Sequence, residues 1–324
     1  MEKFISCDWG TTSFRLRLID TRSVTIIAEE NSGQGIAQVF DLWKQARQPV
    51  SLRFSFFLAT IIQGIQSIER RLNHSLDGLP LVISGMACST LGMIDLPYKE
   101  VPFSADGSDL VTEFTAANND FKHNIIFISG ARTGSDAMRG EETLLAGCLS
   151  GEENQVYIFP GTHSKHVTIT NGMVVDIKTY MTGEFFALLS EKSVLSEAIE
   201  RSMDNEKNKR SFEDGVKESL QTNLLNSSFK VRTNYLFQKL SKQENYYYLS
   251  GLLIGTEMKE LDGVDFGIAL VANATLHSYY ESACNLVMNG TKRLKIQNAD
   301  HAMINGQIKV LHRLLKEKSF FGVI

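Results

Sequence analysis

Short apolar blocks and alternating stretches dominate the first part of the chain. Residues 4–5 and 14–19 flank Gly10-Thr11-Thr12-Ser13 and predict a β-hairpin, with a third strand over 24–28. Phe57, Ile61, Ile65, Ile68 and Leu72 recur at helical spacing, which predicts an amphipathic helix over 53–72. Short buried strands are expected at 79–83, ending in Ser84-Gly85, and at 125–128, ending in Ser129-Gly130, with a helix over 137–149. Near Gly151-Glu152-Glu153-Asn154 the pattern restarts. Strands at 156–159, 167–170 and 174–177 follow, the last two joined by the hairpin signal Asn171-Gly172. Helices are predicted over 184–201, 212–225 and 229–261, with 204–210 as a solvated polar connector. A strand (266–272), a helix (275–288), a strand (293–297) and a closing helix (302–316) complete the chain. Each half thus opens on a hairpin with a Gly-Thr turn and then alternates helices with strands. This is an α/β plan with two related domains, expected at 1–152 and 153–324.

The length of 324 residues agrees with two domains, and 43% hydrophobic with 22% charged residues is ordinary for a globular protein. A formal net charge of -4 argues against a dedicated nucleic-acid binder. No apolar run approaches a membrane span, and the first residues lack the long apolar stretch of a signal peptide. Cys7, Cys88, Cys148 and Cys284 show neither metal-site nor disulfide spacing and read as buried thiols of a reducing compartment. The expected address is the cytoplasm and the expected partner a small molecule, with neither nucleic acid nor membrane; a homodimer is compatible with the sequence.

Chemistry concentrates in three stretches. In Asp8-Trp9-Gly10-Thr11-Thr12, backbone N–H groups and the Thr11 and Thr12 hydroxyls can cradle phosphate oxygens, and Asp8 can hold Mg²⁺ through water. A plain hairpin turn would explain this stretch equally well. The second half, however, carries a matching turn in Pro160-Gly161-Thr162-His163-Ser164-Lys165-His166. Two such turns would grip a triphosphate from both sides, as actin-like ATPases do. No Gly-x-x-x-x-Gly-Lys-Ser/Thr loop is present. His163 and His166 do not share one face of a strand, so phosphate or substrate contact by His163 and Lys165 is favoured over metal ligation. The third stretch, Asp136-Ala137-Met138-Arg139-Gly140-Glu141-Glu142-Thr143, offers carboxylates at an expected helix start. There one could orient a nucleophile, or they could simply favour the positive end of the helix dipole.

With these residues the chain resembles the 2-dehydro-3-deoxygalactonokinase family. Besides the three stretches, the resemblance rests on Arg15, Ser84-Gly85-Met86, Leu96-Pro97-Tyr98, Tyr180-Met181-Thr182-Gly183-Glu184 and Leu249-Ser250-Gly251-Leu252-Leu253-Ile254-Gly255. It implies two related actin-like (ribonuclease H-like) α/β domains with a nucleotide cleft between them, closing over both ligands. It also implies ATP and Mg²⁺ as cofactors, and transfer of the γ-phosphoryl group to the 6-hydroxyl of 2-dehydro-3-deoxy-D-galactonate, a step of D-galactonate catabolism. Carried over, Gly10, Thr11, Thr12, Gly161, Thr162 and His163 bind phosphates, Ala272 and Asn273 form the adenosine turn, and Asp8 holds the metal. Gly85, Met86, Ser89 and Tyr98 shape the sugar-acid pocket, with Arg15 and Lys165 as its cations. The base is Glu141 or Glu142 in preference to Asp136, with Arg139 in the same catalytic set. The chain departs from the family at Gly92-Met93, where Gly-Trp is usual, and at Val271-Ala272-Asn273-Ala274, where a glycine-rich turn is usual. The alternatives are a kinase for another 2-keto-3-deoxy sugar acid or a hexose, and a non-catalytic nucleotide sensor.

Overall fold

A computed structural model describes residues 2–148, 154–288 and 294–317. The expected domain boundary at 152/153, the expected helix end at Leu149 and the expected strand start at Arg293 lie outside the described residues. The first part of the chain forms β1 (Lys3–Trp9), β2 (Phe14–Asp20), β3 (Thr25–Ser32), α1 (Ile36–Gln45), α2 (Arg53–Leu72), β4 (Leu81–Gly85), β5 (Lys99–Glu100), β6 (Phe103–Ser104), β7 (Thr112–Thr115), β8 (Ile125–Ile128), β9 (Ala131–Arg132), β10 (Ala137–Met138) and α3 (Glu141–Cys148). The remainder forms β11 (Gln155–Phe159), β12 (Ser164–Thr170), β13 (Met173–Tyr180), α4 (Thr182–Lys192), α5 (Glu206–Gln221), α6 (Leu224–Leu236), α7 (Lys242–Met258), β14 (Gly267–Ala272), α8 (Ala274–Val287), β15 (Leu294–Asn298) and α9 (Ala299–Lys316).

Two compact units result: Met1–Glu152 with Ile169–Ile177 and Ala299–Ile324, and Glu153–Thr168 with Lys178–Asn298. In the first unit the strand order is β3-β2-β1-β4-β8-β7, with β1, β4 and β8 parallel and β1-β2-β3 an antiparallel meander. Trp9, Phe14, Leu16, Phe57, Ile61 and Ile83 lie in its core, which explains the helical stripe on α2. Helix α9 belongs to this unit. Its buried Gln307 donates to the Cys7 carbonyl (3.2 Å) and the Ser84 hydroxyl (2.9 Å), and so ties α9 to the ends of β1 and β4. The other six-stranded sheet has the order β15-β14-β11-β12-β13-β6, with β11, β14 and β15 parallel. Both sheets therefore repeat one topology: a meander of three strands followed by parallel strands on the far side of the first. The duplication expected from the two Gly-Thr hairpins is real.

Four local expectations need correction. Helix α3 starts at Glu141, because Gly140 has φ of +113° and the preceding Ala137–Met138 pairs with β9. The polar stretch 204–210 is helical from Glu206, since the Asn205 side chain caps α5 by accepting from the Asn208 N–H (3.0 Å). Helix α4 ends at Lys192, where Ser193 turns extended. The helical stretch expected over 229–261 is broken after Leu236, with α6 starting earlier, at Leu224, and Ser241 and Glu244 forming a capping box that starts α7. Helix α1 had no forecast. No helix among the described residues is long and apolar enough to cross a membrane.

Candidate active site

In the first unit, the Gly10–Ser13 turn closes with a bond from the Gly10 N–H to the Ser13 carbonyl (2.9 Å). The turn is held from below by the start of α1. The Ile36 and Ala37 N–H groups donate to the Gly10 and Thr11 carbonyls at 3.0 and 3.1 Å. Gly35 permits this approach, for a Cβ on it would lie 2.2 Å from the Thr11 oxygen. Helix N–H groups normally lacking partners are thereby satisfied by the turn itself. Trp9 anchors the turn from the core, packed edge-on against Phe14 and Phe57, with its indole N–H donating to the Gln34 carbonyl (2.9 Å). Thr12 is exposed and Thr11 half-buried. Asp8 faces Arg15 across β1 and β2, and its Oδ2 accepts from the Arg15 Nη1 at 2.9 Å. The two residues expected to hold metal and substrate separately are therefore ion-paired.

Beside this turn, Trp9 pairs with Gly85 at the end of β4. Gly85 (φ +89°) and Gly140 (φ +113°) touch, since a Cβ on Gly140 would lie 3.3 Å from the Gly85 Cα. Glu142, 1% exposed, turns back on this junction; its two carboxylate oxygens accept from the Gly140 N–H at 3.0 and 2.8 Å and one also accepts from the Thr143 hydroxyl at 3.0 Å. Burial, reinforced by the negative charge of Glu141, pushes its carboxyl from 4.5 up to about 8. Glu141 is half-buried, and its Oε2 accepts from the Arg139 N–H (3.0 Å). Asp136 sits apart from α3, in the turn between β9 and β10, where its Oδ1 accepts from the Ala137 N–H (2.8 Å).

Arg139 is buried, and its guanidinium donates to the Cys88 carbonyl and to the Leu96 carbonyl (3.2 Å). It also lies 4.0 Å over the Tyr98 ring. The side chain thus clamps both ends of the 88–98 loop that carries Ser89 and Tyr98. Ser89 is buried and donates to the Met86 carbonyl (2.7 Å), so both residues shape the loop from inside. Met93 lies in the first unit's core, where its flexible side chain fills space.

In the second unit, the Gly161-Thr162 turn is built on the same plan. The Glu184 N–H, in the first turn of α4, donates to the Thr162 carbonyl (3.0 Å). A Cβ on Gly183 would lie 2.6 Å from the Gly161 oxygen and 2.8 Å from the Thr162 Cα. Gly183 thus stands to Gly161 and Thr162 as Gly35 stands to Thr11 and Thr12. Thr162 is exposed, and the His163 ring is hydrogen-bonded to the Glu184 carboxylate. Lys165 is buried, with its ammonium donating to the His163 carbonyl (3.1 Å). At the end of β14, Asn273 caps α8 with its side chain, accepting from the Leu276 N–H (3.2 Å) at φ of −77°. That backbone needs no glycine, so the glycine-poor turn at Val271-Ala272-Asn273-Ala274 forms without strain.

Sequence patterns gave no role to Gly35, Gly183, Glu184 or the buried Glu257. The Thr-Gly-Glu triplet at 182–184 was part of the quoted motif, and its place after the third strand of a repeated meander could have revealed its role. Among the described residues no group of three or more His, Cys, Asp and Glu is placed to hold a metal. Asp8 beside threonine hydroxyls nevertheless offers the oxygen chemistry that suits Mg²⁺ arriving with nucleotide phosphates.

A repeated meander with a helix-held Gly-Thr turn in each unit, and a buried carboxylate at a helix start, defines an actin-like sugar kinase. Its fold matches that of an activator of 2-hydroxyisocaproyl-CoA dehydratase from Clostridium difficile, with TM-score 0.51 over 99% of both chains at 10% identity. The chain belongs to the 2-keto-3-deoxy-galactonokinase family, whose model matches residues 8–310. It is 29% identical to a probable 2-dehydro-3-deoxygalactonokinase of Rhizobium meliloti (strain 1021), covering 86% of this chain and 88% of that one. It is 28% identical to the 2-dehydro-3-deoxygalactonokinase of Escherichia coli (strain K12), covering 87% and 89%. A solved structure of a candidate 2-dehydro-3-deoxygalactonokinase from Sinorhizobium meliloti superimposes with TM-score 0.78 at 26% identity, over 99% of this chain and 98% of that one.

Proposed function

We propose that this kinase transfers the γ-phosphoryl group of ATP to the 6-hydroxyl of 2-dehydro-3-deoxy-D-galactonate, in the cytoplasm, as a step of D-galactonate catabolism. The observation that carries the chemistry is Glu142, a carboxylate buried against Gly140 and pushed up to about 8. A base with that value removes a hydroxyl proton near neutral pH better than an ordinary carboxylate does. Glu142 takes the proton of the acceptor hydroxyl, while Glu141 adds the negative charge that helps keep its neighbour basic. The exposed hydroxyls of Thr12 and Thr162, with the backbone of their turns, bind and orient phosphate oxygens. Arg139 positions the sugar-acid loop through its carbonyl contacts and does not itself touch the reacting atoms. Lys165, held at the His163 carbonyl, brings positive charge to the second turn. Arg15 orients Asp8, which would hold Mg²⁺ through water. The metal, when bound, neutralises charge on the β- and γ-phosphates. The domains contribute unequally: residues 1–152 supply the sugar-acid loop and base, and residues 153–324 the adenosine turn.

The Asn273 cap forms without strain, so the departure from a glycine-rich turn at 271–274 lends the sensor alternative no support. The test is a coupled ADP-release assay with Mg²⁺ across 2-dehydro-3-deoxy-D-galactonate, other 2-keto-3-deoxy sugar acids and hexoses. The galactonate derivative is expected to give the highest kcat/KM. Preference for another acid would reassign the substrate, and no acceptor-dependent ADP release with ATP would overturn the reading.

A further inference from the structure

The second unit contains a buried carboxylate to which the chemistry above gives no part. Glu257, on the last turn of α7, is 2% exposed. Its Oε1 accepts from the Ser164 hydroxyl and the His166 ring (3.1 Å), and its Oε2 from the Thr182 hydroxyl and the Tyr280 hydroxyl (2.8 Å). Two donors on each oxygen fill the acceptor capacity of an ionised carboxylate. A buried carboxylate is costly unless it is satisfied in this way, so the arrangement holds together only as a set.

These donors are not scattered. Ser164 is the first residue of β12, immediately beyond the Gly161–His163 turn, and Thr182 is the first residue of α4, immediately before Gly183. Gly183 and Glu184 in turn support the other side of that turn through the Gly161 and Thr162 backbone. Tyr280 brings in α8, the helix that follows Ala272-Asn273. The His166 ring is fixed further by Tyr180, with ring centroids 4.5 Å apart.

We infer that Glu257 is a positioning residue for nucleotide: its carboxylate locks the start of β12 to the start of α4 and thereby sets the geometry of the Gly161-Thr162 phosphate turn. This inference rests on the proposed role of that turn. Glutamine at 257 keeps the shape but exchanges two acceptor sites for N–H donors, so two of the four partners lose their acceptor. Displacing a binding turn by a fraction of an ångström weakens what it holds without unfolding the unit.

The test uses the full chain as wild type, as Glu257→Gln, and as Thr182→Val, which removes one donor and leaves the carboxylate in place. Affinities for a non-hydrolysable ATP analogue with Mg²⁺, and separately for the sugar acid, are measured by calorimetry, with melting temperatures on the same preparations. The expected result is ATP-analogue affinity about tenfold or more weaker in both variants, with sugar-acid affinity unchanged. Variants that melt earlier but bind the analogue as wild type does would overturn the inference and leave a structural role alone, as would an equal loss for both ligands. Should Glu257→Gln fail to fold, Thr182→Val decides by the same criteria. A wild type that binds no ATP analogue overturns the functional reading, and this inference with it.

Discussion

Gly183 lies against Thr162 so closely that a Cβ on it would stand 2.8 Å from the Thr162 Cα, and Gly35 bears the same relation to Thr12 in the other unit, where the distance to the Thr12 Cα would be 2.4 Å. Each glycine opens the helix that follows a three-stranded meander, and each lets that helix reach beneath a Gly-Thr turn. Alanine at 183 must therefore push the turn outward or tilt α4. Overpacking of this kind costs about 1–3 kcal/mol. Gly183→Ala is expected to melt earlier and to raise KM for ATP more than KM for the sugar acid, as measured by thermal unfolding and steady-state kinetics. Equal KM values in variant and wild type would show that the close approach does not set the turn.

Arg139 separates a loop-positioning role from a catalytic one. Methionine there keeps part of the volume but abandons the carbonyls of Cys88 and Leu96 and the Tyr98 ring. Arg139→Met is expected to raise KM for the sugar acid roughly tenfold, as a shifted binding loop does, with KM for ATP nearly constant. Steady-state kinetics with each substrate varied in turn provides the check. A loss confined to kcat would return Arg139 to the reacting centre.

How much of this was legible in the sequence depends on how local each cause is. Helix α2 spans 53–72 as its apolar stripe predicts, because that stripe meets a sheet face directly. The paired Gly-Thr turns were legible because a hairpin turn is a local motif. The start of α3 was not, since the positive φ at Gly140 arises from contact with Gly85, which is distant in sequence. Residues 204–210 looked like a solvated connector because they are polar throughout, Asn208 being buried but not apolar, and the apolar positions of the helix, Phe212 and Val216, come later. Arg15 read as a cation for the substrate carboxylate or the phosphoryl group, and its pairing with Asp8 became visible only from the register of β1 and β2. Glu257 gave no signal, because its donors come from three elements well apart along the chain.

The shift at Glu142 sets a pH dependence. Its ionised form is the active base, so kcat/KM is expected to rise with pH through about 8 and level off above it. The stability effect runs the other way. The folded-state value is raised above the unfolded one, so the group's stabilising contribution is fully present below the ordinary glutamate range and lost as pH rises through about 8. Melting curves of wild type and Glu142→Gln between about pH 3.5 and 9, a range that takes in both the ordinary glutamate value and the raised one, should converge at low pH and show the variant relatively more stable at high pH. Parallel curves would contradict the shift.

Asp8 can be tested through the metal. Asn keeps an acceptor toward Arg15 but loses the charge that suits a hydrated Mg²⁺. Asp8→Asn is expected to need several-fold more Mg²⁺ for half-maximal rate, and chelation should stop turnover in both proteins. A magnesium requirement identical to wild type would remove Asp8 from the metal's surroundings.

The central claim is that Glu142 is the base of a sugar-acid kinase, and its most direct test is the Glu142→Gln variant beside Glu141→Gln. Glutamine at 142 can still accept the Gly140 N–H with its carbonyl oxygen, so the helix start is kept while the base is removed. Acceptor-dependent ADP release is expected to fall by about 10²–10⁴-fold in Glu142→Gln, with ATP-analogue affinity within about twofold of wild type, and to fall much less in Glu141→Gln. Near-normal turnover in Glu142→Gln would contradict the account.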